Sequence, residues 1–248
     1  MKIIDCHTHI GYSKVFDVNI SEKELLDGMK KNNITAALVQ PFPGAPNVKE
    51  VHDRIAKLSE EHPGKIFGIV NLYPYIDEEE YKAELERLVK DHGFVGVKIH
   101  TAGHAVNPSG KVGLMIFEMA KRLNIPVMVH TGQGVQFCLP SLVITPAQQY
   151  PEVPIILAHS AYGFTITEEV FPVAKLCKNV YLETSWSGIL EKSLFMQMIG
   201  PDRILYGSDF IHINAAVELF QFRSLNLSDE DLEKCLFHNA NKIFKLKL

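Results

Sequence analysis

Two histidines near the start of the chain are the first residues whose types and spacing can do chemistry. His7 and His9 follow an apolar run that begins at Ile3, in the segment IIDCHTHIGY. Side chains two residues apart in a β-strand point to the same face, so both imidazoles are expected to face one site. Taken alone, the pair is more typical of two partly exposed histidines at a strand end than of metal ligands.

Later apolar runs also end in polar residues that can bind metals or transfer protons. They are Lys98 and His100 in GVKIH, His130 in PVMVH, His159 in PIILAH and Asp209 in RILYGSD. Each has an ordinary structural interpretation by itself, such as a hydrogen-bonded core histidine or a turn aspartate. Burying all of them without partners would be costly, and a metal centre supplies partners. Imidazoles and a carboxylate form a ligand set suited to Zn²⁺, with Mn²⁺, Fe²⁺ or Ni²⁺ as alternatives.

The elements that must position these residues follow a repeating pattern. Short runs rich in Val, Ile and Leu predict buried parallel strands at 2–6, 34–39, 66–72, 95–100, 126–130, 154–159, 179–184 and 203–207. The amphipathic segments between them predict helices at 21–33, 48–61, 77–91, 111–123, 145–150, 166–177 and 190–199. Segment 213–246 predicts one or two further helices.

This alternation predicts an α/β protein with a (β/α)8 barrel and extra C-terminal helices. We expect residues 1–248 to form a single domain, because no linker or change in composition interrupts the pattern. A doubly wound open sheet is the alternative, since strand number alone does not show closure. Barrel active sites lie at the carboxyl ends of the strands, which is where the polar residues occur.

Composition argues against several classes of partner. The formal net charge is −4 and no basic block is present, which disfavours nucleic acid. The 4 cysteines form no C-x-x-C pair, which favours reduced thiols in the cytoplasm. We see no signal-peptide pattern and no apolar run of about 18 residues, so we expect no membrane association.

Seven motifs in order resemble the metal-dependent amidohydrolase superfamily, and more narrowly its group related to aminocarboxymuconate semialdehyde decarboxylase. They are IIDCHTHIG, GFVGVKIHTAG, LNIPVMVHTG, VPIILAHSA, NVYLETS, DRILYGSDF and HNANKIFKL. The resemblance covers nearly the whole chain. It implies a barrel fold, a small-molecule substrate and one divalent metal ion that activates a water molecule.

The resemblance also implies roles for individual residues. His7, His9 and His130 would be metal ligands, and Asp209 would be a fourth ligand or a base beside the bound water. His159 would orient or polarise the substrate, or activate that water.

Other side chains that follow the predicted strands are candidates for substrate binding. Lys98 aligns with a lysine that bridges two metals in some members of the superfamily, but a one-metal site is expected in this group. His100, two residues further on, would face the same cavity. The remaining candidates are the aromatic residues Tyr12, Tyr73 and Trp186.

The predicted metal ligands leave the reaction open. Hydrolysis of a small amide, lactone or ester is the preferred interpretation, because decarboxylases of this group tend to have longer loops. Decarboxylation or hydration of an unsaturated or aromatic acid is the alternative, and a barrel that only binds a metabolite is a further one. By resemblance alone, we expect a homodimer as the oligomeric state.

Overall fold

The structure of the chain, a computed structural model, describes residues 1–134, 136–210 and 214–248. The described residues form nine strands. They are β1 (Ile4–Ser13), β2 (Val18–Ile20), β3 (Ala36–Pro41), β4 (Ile66–Val70), β5 (Gly96–Ile99), β6 (Val127–Gly132), β7 (Ile155–Tyr162), β8 (Val180–Glu183) and β9 (Ile204–Leu205).

The strands form one closed, mostly parallel sheet. Their order is β2-β1-β3-β4-β5-β6-β7-β8-β9, with β2 antiparallel to β1 and every other pair parallel. The segment that includes and follows β9 returns to β1. The Cys6 N–H donates to the Tyr206 carbonyl at 3.1 Å, and the His9 N–H donates to the Phe210 carbonyl at 3.2 Å. These bonds close the sheet, and the predicted (β/α)8 barrel is confirmed.

Helices connect successive parallel strands and surround the barrel. Those in the described residues are α1 (Glu22–Lys31), α2 (Val48–Glu61), α3 (Glu78–Lys90), α4 (Lys111–Leu123), α5 (Ile144–Gln149), α6 (Phe164–Thr167), α7 (Val170–Leu176), α8 (Ile189–Met198), α9 (Ala215–Ser224), α10 (Asp229–Glu233) and α11 (Asn239–Ile243). No helix within these residues is both long and apolar enough to cross a membrane. The helix predicted at 21–33 begins at Glu22, where Ser21 and Glu24 form a reciprocal capping box.

Two apolar clusters separate the inside of the barrel from its outer layer. The larger cluster packs the outward strand side chains against the surrounding helices. The smaller one joins alternate strand residues such as Ile4, Leu38 and Met128 to Phe237 and Phe244 of the C-terminal segment. The amino-terminal end of the barrel is therefore closed by apolar packing, while the carboxyl ends of the strands are left for polar groups.

The structure differs from the predicted elements in three places. The described part of segment 213–246, predicted to form one or two helices, contains α9, α10 and α11. Strand β1 continues to Ser13 and turns back into β2, so the predicted strand 2–6 is extended into a hairpin. The predicted helix 166–177 is two helices, α6 and α7. Pro172 has no N–H to continue a helix from the preceding turn, and it is tolerated in the first turn of α7.

The apolar closure of the barrel predicts a large loss of stability when its aromatic contact is removed. Phe237 is 4% exposed, so Phe237→Ala is expected to lower the free energy of unfolding by about 3–5 kcal/mol. Urea denaturation followed by circular dichroism measures this change. Phe220→Ala is the control, because Phe220 is 70% exposed on α9. Equal stabilities for the two variants would show that Phe237 does not contribute to closing the barrel.

Candidate metal centre

A cavity of about 610 Å³ opens at the carboxyl ends of the barrel strands. Its lining combines polar and titratable residues with aromatic ones. The polar and titratable residues that line it are Ser13, Lys14, Gln133, His7, His9, His100, His130, His159 and Asp209. The aromatic residues that line it are Phe16, Phe42, Tyr162 and Trp186.

The buried carboxylate of Glu183, the last residue of β8, fixes the orientation of His7. Glu183 Oε2 accepts hydrogen bonds from His7 Nδ1 at 2.8 Å and from the His159 backbone N–H at 3.2 Å. Ser185 donates its hydroxyl to the same oxygen and its N–H to Oε1. A Cβ at Gly207 would lie 2.5 Å from Glu183 Oε1, so the glycine allows this close approach. With Nδ1 protonated, His7 turns an unprotonated Nε2 towards the cavity.

A backbone carbonyl orients His9 in the same way. The Pro41 carbonyl lies 3.1 Å from His9 Nδ1 and also accepts a hydrogen bond from the Asn71 side chain at 2.9 Å. The Asn71 N–H donates to Nε2 of the buried His52 at 3.0 Å. Because the carbonyl can only accept, His9 carries its proton on Nδ1. The ring of Phe42 stacks on the His9 imidazole, with centroids 4.6 Å apart.

Asp5 places the segment that carries Asp209. The Asp5 carboxylate accepts the Ser208 N–H at 2.9 Å, the Ser208 hydroxyl at 2.6 Å and the His7 N–H at 3.2 Å. Burial raises the pKa of Asp5 to about 7, against the opposing effect of these hydrogen bonds. This contact joins β1 to the chain that follows β9, and it brings Asp209 beside the two histidines.

Asp209 and the two histidines face one another through atoms that accept protons. Asp209 Oδ1 lies 3.2 Å from His9 Nε2 and 3.6 Å from His7 Nε2. Three electron-rich atoms at this spacing repel one another unless a proton or a cation lies between them. Burial raises the pKa of Asp209, but attraction to His7 and His9 in their protonated forms outweighs this effect and holds the pKa well below its usual range.

These atoms fit a divalent cation. Potential ligand atoms of His7, His9 and Asp209 all lie within 4.8 Å of one another, and those of His7, His159 and Glu183 form a second such group. The first group combines imidazole nitrogen with carboxylate oxygen, which suits Zn²⁺ and other first-row divalent ions. In the second group, Glu183 is already occupied by hydrogen bonds, so the first group is the better candidate.

His130 lies beside His159, outside both groups of potential ligands. His159 Nδ1 lies 2.9 Å from Ser185 Oγ, whose only proton is donated to Glu183. His159 Nδ1 therefore donates, and His159 Nε2 accepts from His130 Nδ1 at 3.1 Å. This arrangement leaves His130 Nε2 unprotonated, as a metal ligand requires. Burial lowers the pKa of His159 to about 3 and that of His130 well below its usual value.

His100 has the opposite tautomer. Its Nδ1 accepts the Gly103 N–H at 2.8 Å, so the proton of the neutral ring is on Nε2. Burial holds the pKa of His100 well below its usual value, and His130 adds to this effect. The two imidazoles stack with centroids 4.3 Å apart. His100 therefore presents a hydrogen-bond donor to the cavity rather than a metal-binding lone pair.

Lys98 lies on the barrel floor at 1% exposure. Its Nζ is 3.2 Å from His7 Nε2, so the ammonium donates to the same nitrogen that faces Asp209. Burial lowers the pKa of Lys98 to about 8, while Glu183 and Asp209 oppose that shift. The lysine supplies positive charge next to the acceptor atoms.

Four residues at or beside the cavity have a strained backbone. His159, Ser160, Trp186 and Asp209 have φ angles of 67°, 44°, 68° and 52°, in the left-handed region that residues other than glycine rarely adopt. Each such residue costs of order 1–3 kcal/mol and persists where the surroundings determine its conformation. Their location at the ends of β7, β8 and β9 is typical of a functional site.

The structure brings together most, but not all, of the residues predicted from the sequence. All of the predicted metal and catalytic residues, together with His100 and Trp186, line the cavity. Lys98 does not line it but contacts His7. Tyr12 and Tyr73 do not line it. Tyr12 donates to Asp17 on the exposed hairpin, and Tyr73 packs against Tyr75 and His104. Tyr12 lies near the end of β1, where the strand pairs with β2, and Tyr73 lies in the loop after β4. A strand pattern predicts neither the hairpin nor the course of the loop.

Sequence reasoning missed Glu183 and Ser185. Both belong to the motif NVYLETS, and Glu183 ends an apolar strand just as His130 and His159 do. A polar residue at the end of an apolar strand could therefore have identified Glu183 as well. The missing information was the neighbour that the carboxylate contacts, because His7 is 176 positions away in the chain.

Replacing Glu183 tests its role in orienting His7. Glu183→Gln places an amide donor among groups that already donate, so we expect about 10–100-fold weaker affinity for Zn²⁺ or Mn²⁺. Isothermal titration calorimetry on metal-free protein measures the affinity. Glu61→Gln on the exposed end of α2 is the control. Unchanged affinity in Glu183→Gln would show that the histidine does not depend on this contact.

The buried His52 predicts a defined sensitivity to acid. Burial lowers its pKa from 6.5 to about 4, so the unfolded chain takes up a proton at higher pH than the folded one does. The contribution of His52 to stability therefore falls as the pH decreases from 6.5 to about 4, by about 3 kcal/mol in total. His52→Gln keeps an acceptor for Asn71 and removes the titration.

Urea denaturation between pH 7 and about 4 measures the effect of His52. The stability of His52→Gln relative to the unsubstituted protein is expected to rise as the pH falls. The exposed His238→Gln is the control. Parallel pH profiles for the unsubstituted protein and His52→Gln would refute the prediction.

The sequence model of the amidohydrolase family matches residues 4–246. No curated protein sequence matches the chain.

Solved structures share the fold at low sequence identity. The 2,6-dihydroxybenzoate decarboxylase from Rhizobium has a TM-score of 0.78 and 16% identity, with 100% of both chains covered. A dihydroxybenzoic acid decarboxylase from Polaromonas sp. JS666, with bound manganese and the inhibitor 2-nitroresorcinol, has a TM-score of 0.77 and 18% identity. The match covers 100% of this chain and 98% of that one.

A 4-oxalomesaconate hydratase from Rhodopseudomonas palustris has a TM-score of 0.72 and 16% identity, with 99% of this chain and 96% of that chain covered. At these identities the likeness establishes the fold alone. Family membership follows from the sequence model, which matches almost the entire chain: the protein belongs to the amidohydrolase family.

Proposed function

We propose that this protein is a metal-dependent decarboxylase that removes CO₂ from a small planar carboxylic acid. The observation that carries the proposal is an aromatic-walled cavity that ends on a buried group of histidines and one carboxylate. The rings of Phe42, Tyr162 and Trp186 give flat walls for an aromatic or unsaturated substrate. His7, His9 and Asp209 would hold the metal at the bottom of the cavity.

The related structures support decarboxylation over hydrolysis, which was the interpretation preferred from the sequence. The Rhizobium and Polaromonas proteins are decarboxylases and the Rhodopseudomonas protein is a hydratase. Their matches run over nearly the whole of both chains. Decarboxylation is therefore the better proposal, and hydration or hydrolysis is the alternative use of the same groups.

The donor set indicates which ion the site would take. His7, His9 and Asp209 would bind it, and His130 would complete four ligands of the kind that Zn²⁺ prefers. The manganese in the Polaromonas enzyme makes Mn²⁺ the second candidate. When bound, the ion supplies positive charge that holds substrate oxygens and stabilises the electron pair left on carbon.

The chain's own residues would orient the acid and handle the proton. The His100 Nε2–H would donate to a substrate oxygen, and His159 would fix the substrate's orientation beside the ligands. The bond between the carboxyl carbon and its neighbour breaks, and its electron pair stays on that neighbour. CO₂ leaves, and a proton relayed from water by Asp209 adds to the same carbon. The added proton neutralises the negative charge that the substrate carboxylate carried.

Other parts of the functional interpretation stay predictions. Hydrolysis of a small amide, lactone or ester would use the same carboxylate as the proton carrier. A small-molecule substrate without nucleic-acid or membrane partners, a homodimer and a cytoplasmic location are predictions from the sequence. A barrel that only binds a metabolite is the non-catalytic alternative.

Product analysis with a panel of substrates tests the proposed reaction. Purified protein with Zn²⁺ or Mn²⁺ is expected to release CO₂ from one or more aromatic or unsaturated carboxylic acids. In D₂O the product should carry deuterium at the carbon that lost the carboxyl group, and a chelator should abolish turnover until metal is restored. Hydrolysis of amides, lactones or esters with no CO₂ release would overturn the decarboxylase proposal.

A single substitution tests the role of His159. His159→Asn is expected to lower kcat by about 10²–10⁴-fold, because the substrate loses the imidazole that orients it. The exposed His238→Asn is the control and should retain full activity. Steady-state kinetics measure both, and a fully active His159→Asn variant would remove His159 from the catalytic machinery.

A further inference from the structure

Trp186 contacts the candidate metal ligand Asp209 directly. It follows β8 and lines the cavity, and its Nε1–H donates to Asp209 Oδ2 at 2.7 Å. The other carboxylate oxygen, Oδ1, faces His9 Nε2 at 3.2 Å and His7 Nε2 at 3.6 Å. The indole therefore selects which oxygen of Asp209 faces the two imidazoles.

A buried ion pair in the outer layer holds the backbone of this tryptophan. The Trp186 N–H donates to Glu218 Oε1 at 3.2 Å, and Lys192 Nζ lies 2.9 Å from Glu218 Oε2. Lys192 also donates to the Ser187 carbonyl and to Gln221 Oε1. Lys192 and Glu218 are fully buried, on α8 and α9 respectively.

The conformation of Trp186 requires such support. Its φ of 68° is unfavourable for a bulky side chain, and the exposed fraction of the residue is 41%. The ring of Tyr162 lies against the indole, with centroids 5.9 Å apart. The ion pair and its hydrogen bonds to residues 186 and 187 restrain the backbone at this strained position.

We propose that Trp186 is a positioning residue for Asp209, and that the Lys192–Glu218 pair anchors it through the backbone. The inference rests on the proposed function, because it requires Asp209 to bind the metal. Loss of the indole N–H would free the carboxylate to rotate, and the metal site would lose one preorganised ligand. The pair on the outer helices would thus influence metal binding without touching the metal.

The chain contains a single tryptophan, so its fluorescence reports on Trp186 alone. Titration of metal-free protein with Zn²⁺ is expected to change the emission saturably, because ligation alters the carboxylate bonded to the indole. Calorimetry gives the Zn²⁺ affinity of Trp186→Phe, which keeps an aromatic ring and removes the N–H. We expect that affinity to be about 10-fold weaker or more, as for other residues that hold a metal ligand.

Matched variants separate positioning from general damage. Val15→Ala changes an exposed residue that lines the same cavity and should leave Zn²⁺ affinity unchanged. Lys192→Met combined with Glu218→Leu removes the pair without leaving a lone buried charge. This double variant should weaken Zn²⁺ binding as Trp186→Phe does, and adding Trp186→Phe to it should cause little further loss.

The outcomes distinguish this inference from the proposed function. Absence of Zn²⁺ and Mn²⁺ binding in the unsubstituted protein would overturn the metal centre and this inference with it. Metal binding of equal affinity in the unsubstituted protein and in Trp186→Phe would overturn the positioning role alone. Trp186→Phe changes a partly exposed side chain, so it tests the inference even if the double variant does not fold.

Discussion

A buried carboxylate at the carboxyl end of β8 accepts hydrogen bonds from His7, His159 and Ser185, and the arrangement of the site depends on it. Because Glu183 can only accept, its partners must donate, and this places the proton of the His7 imidazole on Nδ1. His7 Nε2 is then left unprotonated towards Asp209. Through Ser185 and His159, the same carboxylate determines the orientation of the hydrogen bond to His130. One acceptor thus organises groups from three strands before any metal binds.

The barrel supplies a rigid frame for this arrangement. Apolar packing closes its amino-terminal end, and hydrogen bonds from β1 to the segment 206–210 close its wall. Polar groups are concentrated at the opposite end, where strained residues such as His159 and Asp209 hold their side chains over the cavity. A stable core offsets the cost of that strain. The fold does not determine the reaction, which depends on the residues of the site. Decarboxylation and hydrolysis would differ in the substrate held by the walls more than in the groups that bind the metal.

Much of the fold follows from local patterns. The helix 48–61 was predicted with the bounds found in the structure, and Ser21 caps α1 as its sequence indicates. These features depend on neighbours within a few residues. The β1–β2 hairpin and the break before α7 were not predicted, since the first needs the pairing of Gly11 with Ile20 and the second depends on where a helix restarts around Pro172.

The sequence by itself determined the barrel, the family and the residue types at the strand ends, because periodicity and motif order are local and sequential properties. Only the tertiary structure decided which of those residues meet. Glu183 and His7, or Trp186 and Asp209, are distant in sequence and adjacent across the barrel. Tyr12 in β1 and Tyr73 after β4 contact Asp17 and His104, and neither lines the cavity. The direction of a side chain and its hydrogen-bond partner are set by closure of the sheet and by the course of its loops, which no local pattern specifies.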